Sequence, residues 1–439
     1  MRALVLGLAI TNDAVVRQVQ ARGGKVTVLD DAPSDASRER ALGLGLELHR
    51  TDEVDVATML AAVDVVLPTP GMRISHPVLV SAAAAGVPVW SEFELAAEWD
   101  ARPIVAVTGT NGKTTVTTLI TSMLAASGRV VVDAGNNDLP LVDALDRRDV
   151  ELFVVEASSF RLQFTERFRP VVGVWLNLSP DHLDWHPTMD HYAEAKFRIW
   201  ANQRADDVAI ANAEDDEVMQ WAAKAPGRVV TYGLSVGDYR LSEGALKTPG
   251  GAVIVQVDDL AQQLPHELSN FLAAGAASLE AGASMDAVRS VLVDFRGLPH
   301  RVELVVDAGG VRWYDDSKAT TPASVLAAVS GFDSAVLIAG GRNKGLDLGV
   351  LRPLSSRLRA VVAIGESGPM VASVFEGACP VVSAASMDEA VARAASLAQP
   401  GDAVVLSPGC ASYDWYSNYN ERGDDFVRAV RDLVGATDR

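Results

Sequence analysis

Val105-Ala-Val-Thr-Gly-Thr-Asn-Gly-Lys-Thr-Thr115 is the stretch on which the reading of the whole chain turns. An apolar run leads into Gly109, Thr110, Asn111, Gly112 and Lys113, then into the hydroxyls of Thr114 and Thr115, and a helix-compatible stretch follows through Leu124. Strand, glycine loop, Lys-Thr and helix make a phosphate-binding context. The glycines let backbone N–H groups turn toward phosphate oxygens, and the helix N-terminus adds partial positive charge. Lys113 brings a full charge and Thr114 a hydroxyl suited to Mg²⁺. Val107 stands where the usual spacing has a glycine. A βα turn that uses glycines for shape alone is therefore the alternative.

Outward from this loop, short apolar runs alternate with amphipathic stretches, which predicts parallel sheets flanked by helices. Runs at 4–8, 26–29, 63–67 and 87–90 read as strands, and Val15, Val16 and Val19 carry helix spacing between the first two. The charged, Pro-containing Asp100-Ala-Arg-Pro103 marks a first boundary, before further runs at 104–107, 130–132, 152–155 and 171–178. Residues 233–251 are rich in glycine and turn formers and read as irregular, whereas 273–287 read as one Ala-rich helix. Gly297-Leu-Pro-His-Arg301 reads as a linker. A third set of runs lies at 311–314, 335–338, 361–364 and 403–406. The expectation is an α/β protein of three domains, 1–101, 102–299 and 300–439, the outer two Rossmann-like and the central one of P-loop ATPase type.

The 439 residues carry a net charge of −19, which excludes a non-specific nucleic-acid binder. An anionic ligand must be met by local Lys and Arg. Two cysteines, Cys379 and Cys410, exclude a disulfide framework and favour a reducing, cytoplasmic setting. Met1–Ile10 reads as a buried strand rather than a signal peptide, since Asn12 and Asp13 follow without a small-x-small site. No apolar run reaches the ~20 residues a bilayer span needs.

Polar groups recur at the ends of the apolar runs. Glu156 follows 152–155, where a carboxylate can hold Mg²⁺ beside a phosphate loop, although alone it fits a helix N-terminal acid equally well. Asp181, His182, Asp184 and His186 follow the next run, and their spacing suits a phosphate-linked magnesium site better than zinc. Lys196 sits in an evident helix and by pattern alone reads as a surface lysine. Three further turns, Tyr314-Asp-Asp-Ser-Lys-Ala-Thr-Thr-Pro322, Gly340-Gly-Arg-Asn-Lys-Gly345 and Leu406-Ser-Pro-Gly-Cys-Ala-Ser412, each follow a strand and are expected to share one sheet edge. Cys410 has no base beside it and reads as a small buried residue.

As an ordered set, Thr108–Thr115, Glu156-Ala-Ser-Ser159, Asp181-His-Leu-Asp184, Ala195-Lys196, Gly297–Arg301, Asp316-Ser-Lys-Ala-Thr320, Gly340-Gly341 with Lys344, and Leu406-Ser-Pro with Ala411-Ser412 resemble the Mur ligases over nearly the whole chain. Within that family they look most like the member that adds D-glutamate to UDP-muramoyl-alanine. The resemblance implies domains for the UDP end, for ATP and for the incoming amino acid, acting in that order along the chain. It implies ATP and two Mg²⁺ ions, an acyl-phosphate intermediate, and a monomer that binds neither nucleic acid nor membrane. Carried over residue by residue, Gly109 to Thr115, Asn270, Arg301, Asp316 and Lys318 would contact ATP. Thr114, Glu156, His182 and Lys196 would serve the metal, Lys196 as a carbamate. Lys113, His182, Lys196 and Lys318 would be the catalytic set. Asp30 and Asp31 would meet uridine, Asn136 and Ser158 the muramoyl end, and Thr320, Lys344, Ser412 and Tyr419 the D-glutamate carboxylates. The chain departs from the pattern at Gly7-Leu-Ala-Ile-Thr-Asn12, which lacks a fuller glycine loop, at Glu267, where asparagine is usual, and at Arg161, where glutamine is common. Rival expectations are a ligase for L-glutamate or a folylpolyglutamate-type acceptor, and a non-catalytic ATP-binding scaffold.

Overall fold

Short runs of Val, Leu, Ile and Ala bounded by Gly, Pro and Asp are too brief for stable helices and pair instead as strands buried on both faces. In the computed structural model, which describes residues 1–137, 139–183 and 185–437, these runs build three sheets. The first contains β1 (Arg2–Leu6), β2 (Lys25–Asp30), β3 (Leu48–Arg50) and β4 (Val65–Pro68), all parallel, in the order β3-β2-β1-β4. The second contains β5 (Ile104–Thr108), β6 (Val131–Gly135), β7 (Leu152–Glu156), β8 (Val172–Trp175), β9 (Val208–Asn212), β10 (Arg228–Gly233), β11 (Tyr239–Ser242), β12 (Ala245–Lys247) and β13 (Val253–Gln256). Its order is β13-β12-β11-β10-β9-β8-β5-β7-β6. The third contains β14 (Glu303–Ala308), β15 (Val311–Asp315), β16 (Ala335–Gly340), β17 (Leu358–Ile364), β18 (Val381–Ala384) and β19 (Ala403–Leu406), in the order β14-β15-β19-β16-β17-β18.

The chain divides into two compact units. One is Met1–Leu178, Trp185–Asp259 and Asn270–Val293, and the other is Ser179–Asp184, Leu260–Ser269 and Asp294–Arg439. The first unit holds the first two sheets. Phe93, on the helix Glu92–Trp99, stacks on Phe168 with ring centroids 5.0 Å apart. The buried Glu94 carboxylate accepts the N–H groups of Glu166 and Arg167 at 2.7 and 2.8 Å. Arg102, at the chain's passage from the first sheet to the second, forks onto Asp100 and donates to the carbonyls of Leu145, Arg147 and Val150 at 2.9, 2.6 and 3.0 Å. In the second unit, alternation along β16 puts Leu337 and Ala339 against Val325 and Phe375. Val336 and Ile338 face the other way, toward Met387, Val391 and Phe426.

Four expectations change. Residues 87–90 form only a bridge, Val66 with Val89, because Pro88 has no N–H with which to extend a ladder. Residues 233–251 are not irregular but contain β11 and β12, whose turn is made by Glu243 and Gly244 with positive φ. The Ala-rich segment is two helices, Pro265–Glu280 and Met285–Asp294, separated where Gly282 takes φ +92°. The sheets are not wholly parallel, since β11 to β13 and β14 with β15 pair antiparallel. The start of the chain does form a buried strand, although β1 ends at Leu6 because Gly7 turns with φ +74°. No helix among the described residues is long and apolar enough to cross a membrane.

Trp200 is fully buried and donates its indole N–H to Gly173 O at 2.8 Å, and its ring packs on Trp175. Trp200→Ala should lower stability by about 3–5 kcal/mol, read from the urea midpoint. A loss below about 1 kcal/mol would show that the central sheet does not lean on this ring.

Candidate active site

The loop after β5 keeps its shape because two of its residues have no side chain. Gly109 and Gly112 take φ +155° and +85°. A Cβ at Gly112 would lie 2.6 Å from Asn270 Oδ1, and one at Gly109 would lie 3.0 Å from Leu176 Cβ. Asn177, just after β8, holds the turn from the neighbouring strand. Its Oδ1 accepts the N–H groups of Thr110 and Asn111 at 3.0 and 2.9 Å, and its Nδ2 donates to Asn111 O at 3.2 Å. The helix Lys113–Ala126 then begins, with Thr114 and Thr115 half-buried in its first turn. Lys113 Nζ folds back onto the carbonyls of Gly109 and Thr110, both at 2.9 Å.

Lys196 is not the surface lysine its pattern suggested. It is 1% exposed, donates Nζ to Gly109 O at 2.7 Å and lies over the Tyr192 ring at 4.5 Å. On the helix Met189–Ala201 it shares a buried face with Tyr192, Ala193, Ile199 and Trp200. The four-residue spacing from Tyr192 to Lys196 to Trp200 was the signal available in the sequence.

β7 lies beside β5 and carries Glu156 to the same sheet edge, in register with Val107 on one side and Gly135 on the other. Glu156 is buried, and its Oε1 accepts from Asn136 Nδ2 at 2.9 Å. Asn136 Oδ1 in turn accepts from Arg161 Nη1 at 2.7 Å. Ser158 is buried close by, and its hydroxyl has no hydrogen-bond partner among the described residues. In the first sheet, Asp30 Oδ1 accepts from Ala32 N at 3.0 Å, and Asp31 Oδ2 meets His76 Nε2 at 2.9 Å. The Thr51 hydroxyl and then His76 hold the Asp31 carboxyl below its ordinary range. The His186 ring nitrogens face Ser159 Oγ and His191 Nδ1, both at 2.9 Å.

The glycine cradle, Lys113 at a helix N-terminus, the Thr114 hydroxyl and the Glu156 carboxylate are together suited to a polyphosphate and a hard, oxygen-seeking divalent cation.

In the second unit the three polar turns share one edge, because β15, β19 and β16 are adjacent strands. Ser407 Oγ donates to Asp316 Oδ2 at 2.7 Å, Gly409 N donates to Ala319 O at 2.8 Å, and Arg342 bridges with Ala411. Lys318 Nζ lies 3.7 Å over the Tyr419 ring. Arg301 and Thr320 are half-buried, Ser412 is buried and Lys344 is exposed. Cys410 is buried, as expected of a small core residue. His182, with φ +54°, places Nε2 3.3 Å from Asp181 Oδ2. Asp184 lies outside the described residues.

Several contributors were not singled out from sequence. Asn177 could have been found as an amide at the end of the strand adjoining the loop. Arg422 occupies the buried face of the helix Tyr419–Thr437 and donates to Ser317 Oγ, Ser317 O and Cys410 O at 3.0, 2.7 and 3.1 Å. His300, with φ +60°, sets Nδ1 2.6 Å from Asp315 Oδ2, and Asp315 Oδ1 accepts from Ser317 N at 2.9 Å.

Family models cover most of the chain. One described as Mur ligase MurD-like, N-terminal domain matches residues 1–91, one described as Mur ligase middle domain matches 107–278, and one described as Mur ligase, glutamate ligase domain matches 300–410. The chain belongs to the Mur ligase family. This Mur ligase is 39% identical over 448 residues to a protein of Desulfosudis oleivorans named UDP-N-acetylmuramoylalanine--D-glutamate ligase, covering 98% of this chain and 96% of that one. A protein of the same name from Frankia casuarinae is 40% identical over 453 residues, covering 98% and 94%. Among solved structures, MurF from Acinetobacter baumannii has a TM-score of 0.63 at 20% identity, covering 97% of this Mur ligase and 93% of that chain. MurC from Thermotoga maritima has a TM-score of 0.59 at 18% identity, covering 99% and 100%. These two likenesses establish a common Mur ligase fold of three α/β domains.

Burial pushes the Asp316 carboxyl up to about 7, against the opposing effect of the Ser407 hydrogen bond. The folded protein therefore holds a proton that the unfolded chain, with a carboxyl near 3.8, gives up, so stability from this group falls as pH rises between those values. Asp316→Asn should flatten that fall. Its stability relative to the parent should rise between about pH 5 and about pH 7.5, by at most about 2.5 kcal/mol in urea unfolding. A difference that does not change with pH would show that Asp316 is ionised throughout.

Proposed function

We propose that this chain is an ATP- and magnesium-dependent ligase that joins D-glutamate to UDP-N-acetylmuramoyl-L-alanine, a step in peptidoglycan precursor synthesis, working as a monomer in the cytoplasm. The observation that carries the reading is similarity of 36–40% across nearly the full length to relatives of that name, in a chain whose glycine loop, Lys113 and Glu156 meet at one sheet edge.

Transfer of a γ-phosphoryl group to a carboxylate brings anions together, so the protein must cancel charge and hold the reactants in line. The amides of Gly109 to Thr115 and Lys113 cradle the β- and γ-phosphates. Asn270 and Asp316 orient the nucleotide, and Arg301 and Lys318 add positive charge as the phosphoryl group moves. Thr114, Glu156, His182 and Lys196 would hold magnesium, two ions in all, whose charge offsets that of the phosphates. To do so, His182 would have to offer an unprotonated ring nitrogen. Lys196 serves as a carbamate, which exchanges a cation for an anionic oxygen donor.

Asp30 and Asp31 take the uridine end of the acceptor, and Asn136 and Ser158 take its muramoyl end. Thr320, Lys344, Ser412 and Tyr419 take the carboxylates of D-glutamate. The amine of D-glutamate attacks the acyl phosphate carbon and a tetrahedral intermediate forms. The carbon–oxygen bond to phosphate then breaks, leaving the amide and inorganic phosphate, and the amine proton passes to solvent.

ATP-dependent phosphate release should require both UDP-muramoyl-alanine and D-glutamate, with L-glutamate near background. Lys113→Ala should lower kcat by about 10²–10³. Equal turnover of L-glutamate, or release only with a folate-type acceptor, would replace the substrate assignment, and ATP binding without amide formation would leave a scaffold. The carbamate has its own test. Activity should fall in carbon dioxide-depleted buffer, return with bicarbonate, and be accompanied by a carbamate signal in ¹³C NMR from labelled bicarbonate. Full activity without carbon dioxide, and no such signal, would leave Lys196 a plain amine.

A further inference from the structure

Arg161 is buried in the short helix Ser159–Leu162 that follows β7, with 6% of its side chain exposed. Its guanidinium divides between three segments. Nη1 donates to Asn136 Oδ1 at 2.7 Å, and Nη2 donates to Thr11 Oγ1, at the start of the helix Ile10–Ala21, at 3.0 Å. Nε lies 2.8 Å from Glu92 Oε1, a charge contact rather than an aligned hydrogen bond.

Guanidinium is a donor only, and it stays charged. It therefore dictates how the Asn136 amide is turned. With Oδ1 held by Arg161, Nδ2 must point away from it, and it meets Glu156 Oε1 at 2.9 Å. The opposite amide orientation would set Oδ1 against the Glu156 carboxylate and two N–H groups against a cation. Without a donor at 161 the amide would be turned by Glu156 alone, and nothing charged would hold Oδ1 in place.

We infer that Arg161 is a positioning residue for the reaction. Through Asn136 it fixes the Glu156 carboxylate in the geometry that a divalent cation requires, and through Thr11 it anchors that geometry to the helix that follows β1. The inference rests on the reading that Glu156 holds magnesium. It assigns Arg161 no contact with the metal. Outer partners of this kind cost about 10–100-fold in metal affinity when lost.

Manganese binding tests this directly, measured by electron paramagnetic resonance on the full-length protein loaded with a non-hydrolysable ATP analogue. Arg161→Gln alone would strand Glu92 as a buried unpaired charge, so the informative variant is Arg161→Gln with Glu92→Gln, in which neither charge remains. It should unfold like the parent yet bind manganese about tenfold more weakly. Arg161→Lys keeps a charge for Glu92 but not the fork. It should be weakened to a similar degree, and it carries the comparison if the double variant does not fold. Parent-like manganese affinity in the folded double variant, or in Arg161→Lys if that is the one that folds, overturns the positioning role. Glu156→Gln separates the two levels. If it too binds manganese normally, then Glu156 holds no metal and the reading beneath the inference fails with it.

Discussion

A strand that ends against a helix N-terminus can offer its amides to a ligand only if nothing fills the space in front of them. In this chain that condition is met at Gly109 and Gly112, whose backbone angles and close neighbours leave no room for a side chain. The order β8-β5-β7 then sets what surrounds the loop. β8 delivers Asn177, which holds the turn by its amides, and β7 delivers Glu156 to the opposite side. The helix Met189–Ala201 brings Lys196 to the loop carbonyl at Gly109. Asn177 and Lys196 bond to the loop itself and help to keep its one shape.

How much of this was legible in the sequence depended on whether a feature is local. The glycine loop, the buried runs that became β5, β7, β15, β16 and β19, and Glu156 at a strand end all follow from residue type over a few positions. The hairpin at β11 and β12 did not, since turn formers mark a tight reversal and an irregular loop alike. The strand proposed at 87–90 failed because one proline interrupts a pattern that otherwise looks right. Lys196 was misplaced because a lysine is ordinarily exposed, and only its four-residue spacing from two aromatics told otherwise. The Arg161, Asn136 and Glu156 chain joins residues 25 and 20 positions apart, and pairing of that range has no signature in a single sequence.

Charge is distributed with the same economy of place. The chain carries −19 overall, but its buried cations are each enclosed by a particular set of groups. Arg422 is held by one hydroxyl and two carbonyls, and burial lowers its pKa to about 10. Arg161 faces a carboxylate, an amide and a hydroxyl. Lys318, which is half-buried, rests on an aromatic face. A net negative charge gives no general attraction to anions, so each of these cations acts on its own neighbours rather than through a shared field.

The joint at Arg102 has a mechanical consequence. A peptide passing between two sheets is ordinarily where a protein bends, but here one guanidinium grips the carboxylate two residues before it and three carbonyls near residues 145–150. With Phe93 stacked on Phe168 and Glu94 capping the amides of residues 166 and 167, the joint is braced at three points. The first and second sheets are thus tied to each other within one compact unit. A change of angle between the sheet that carries Asp30 and the sheet that leads into Lys113 would have to break these three contacts together.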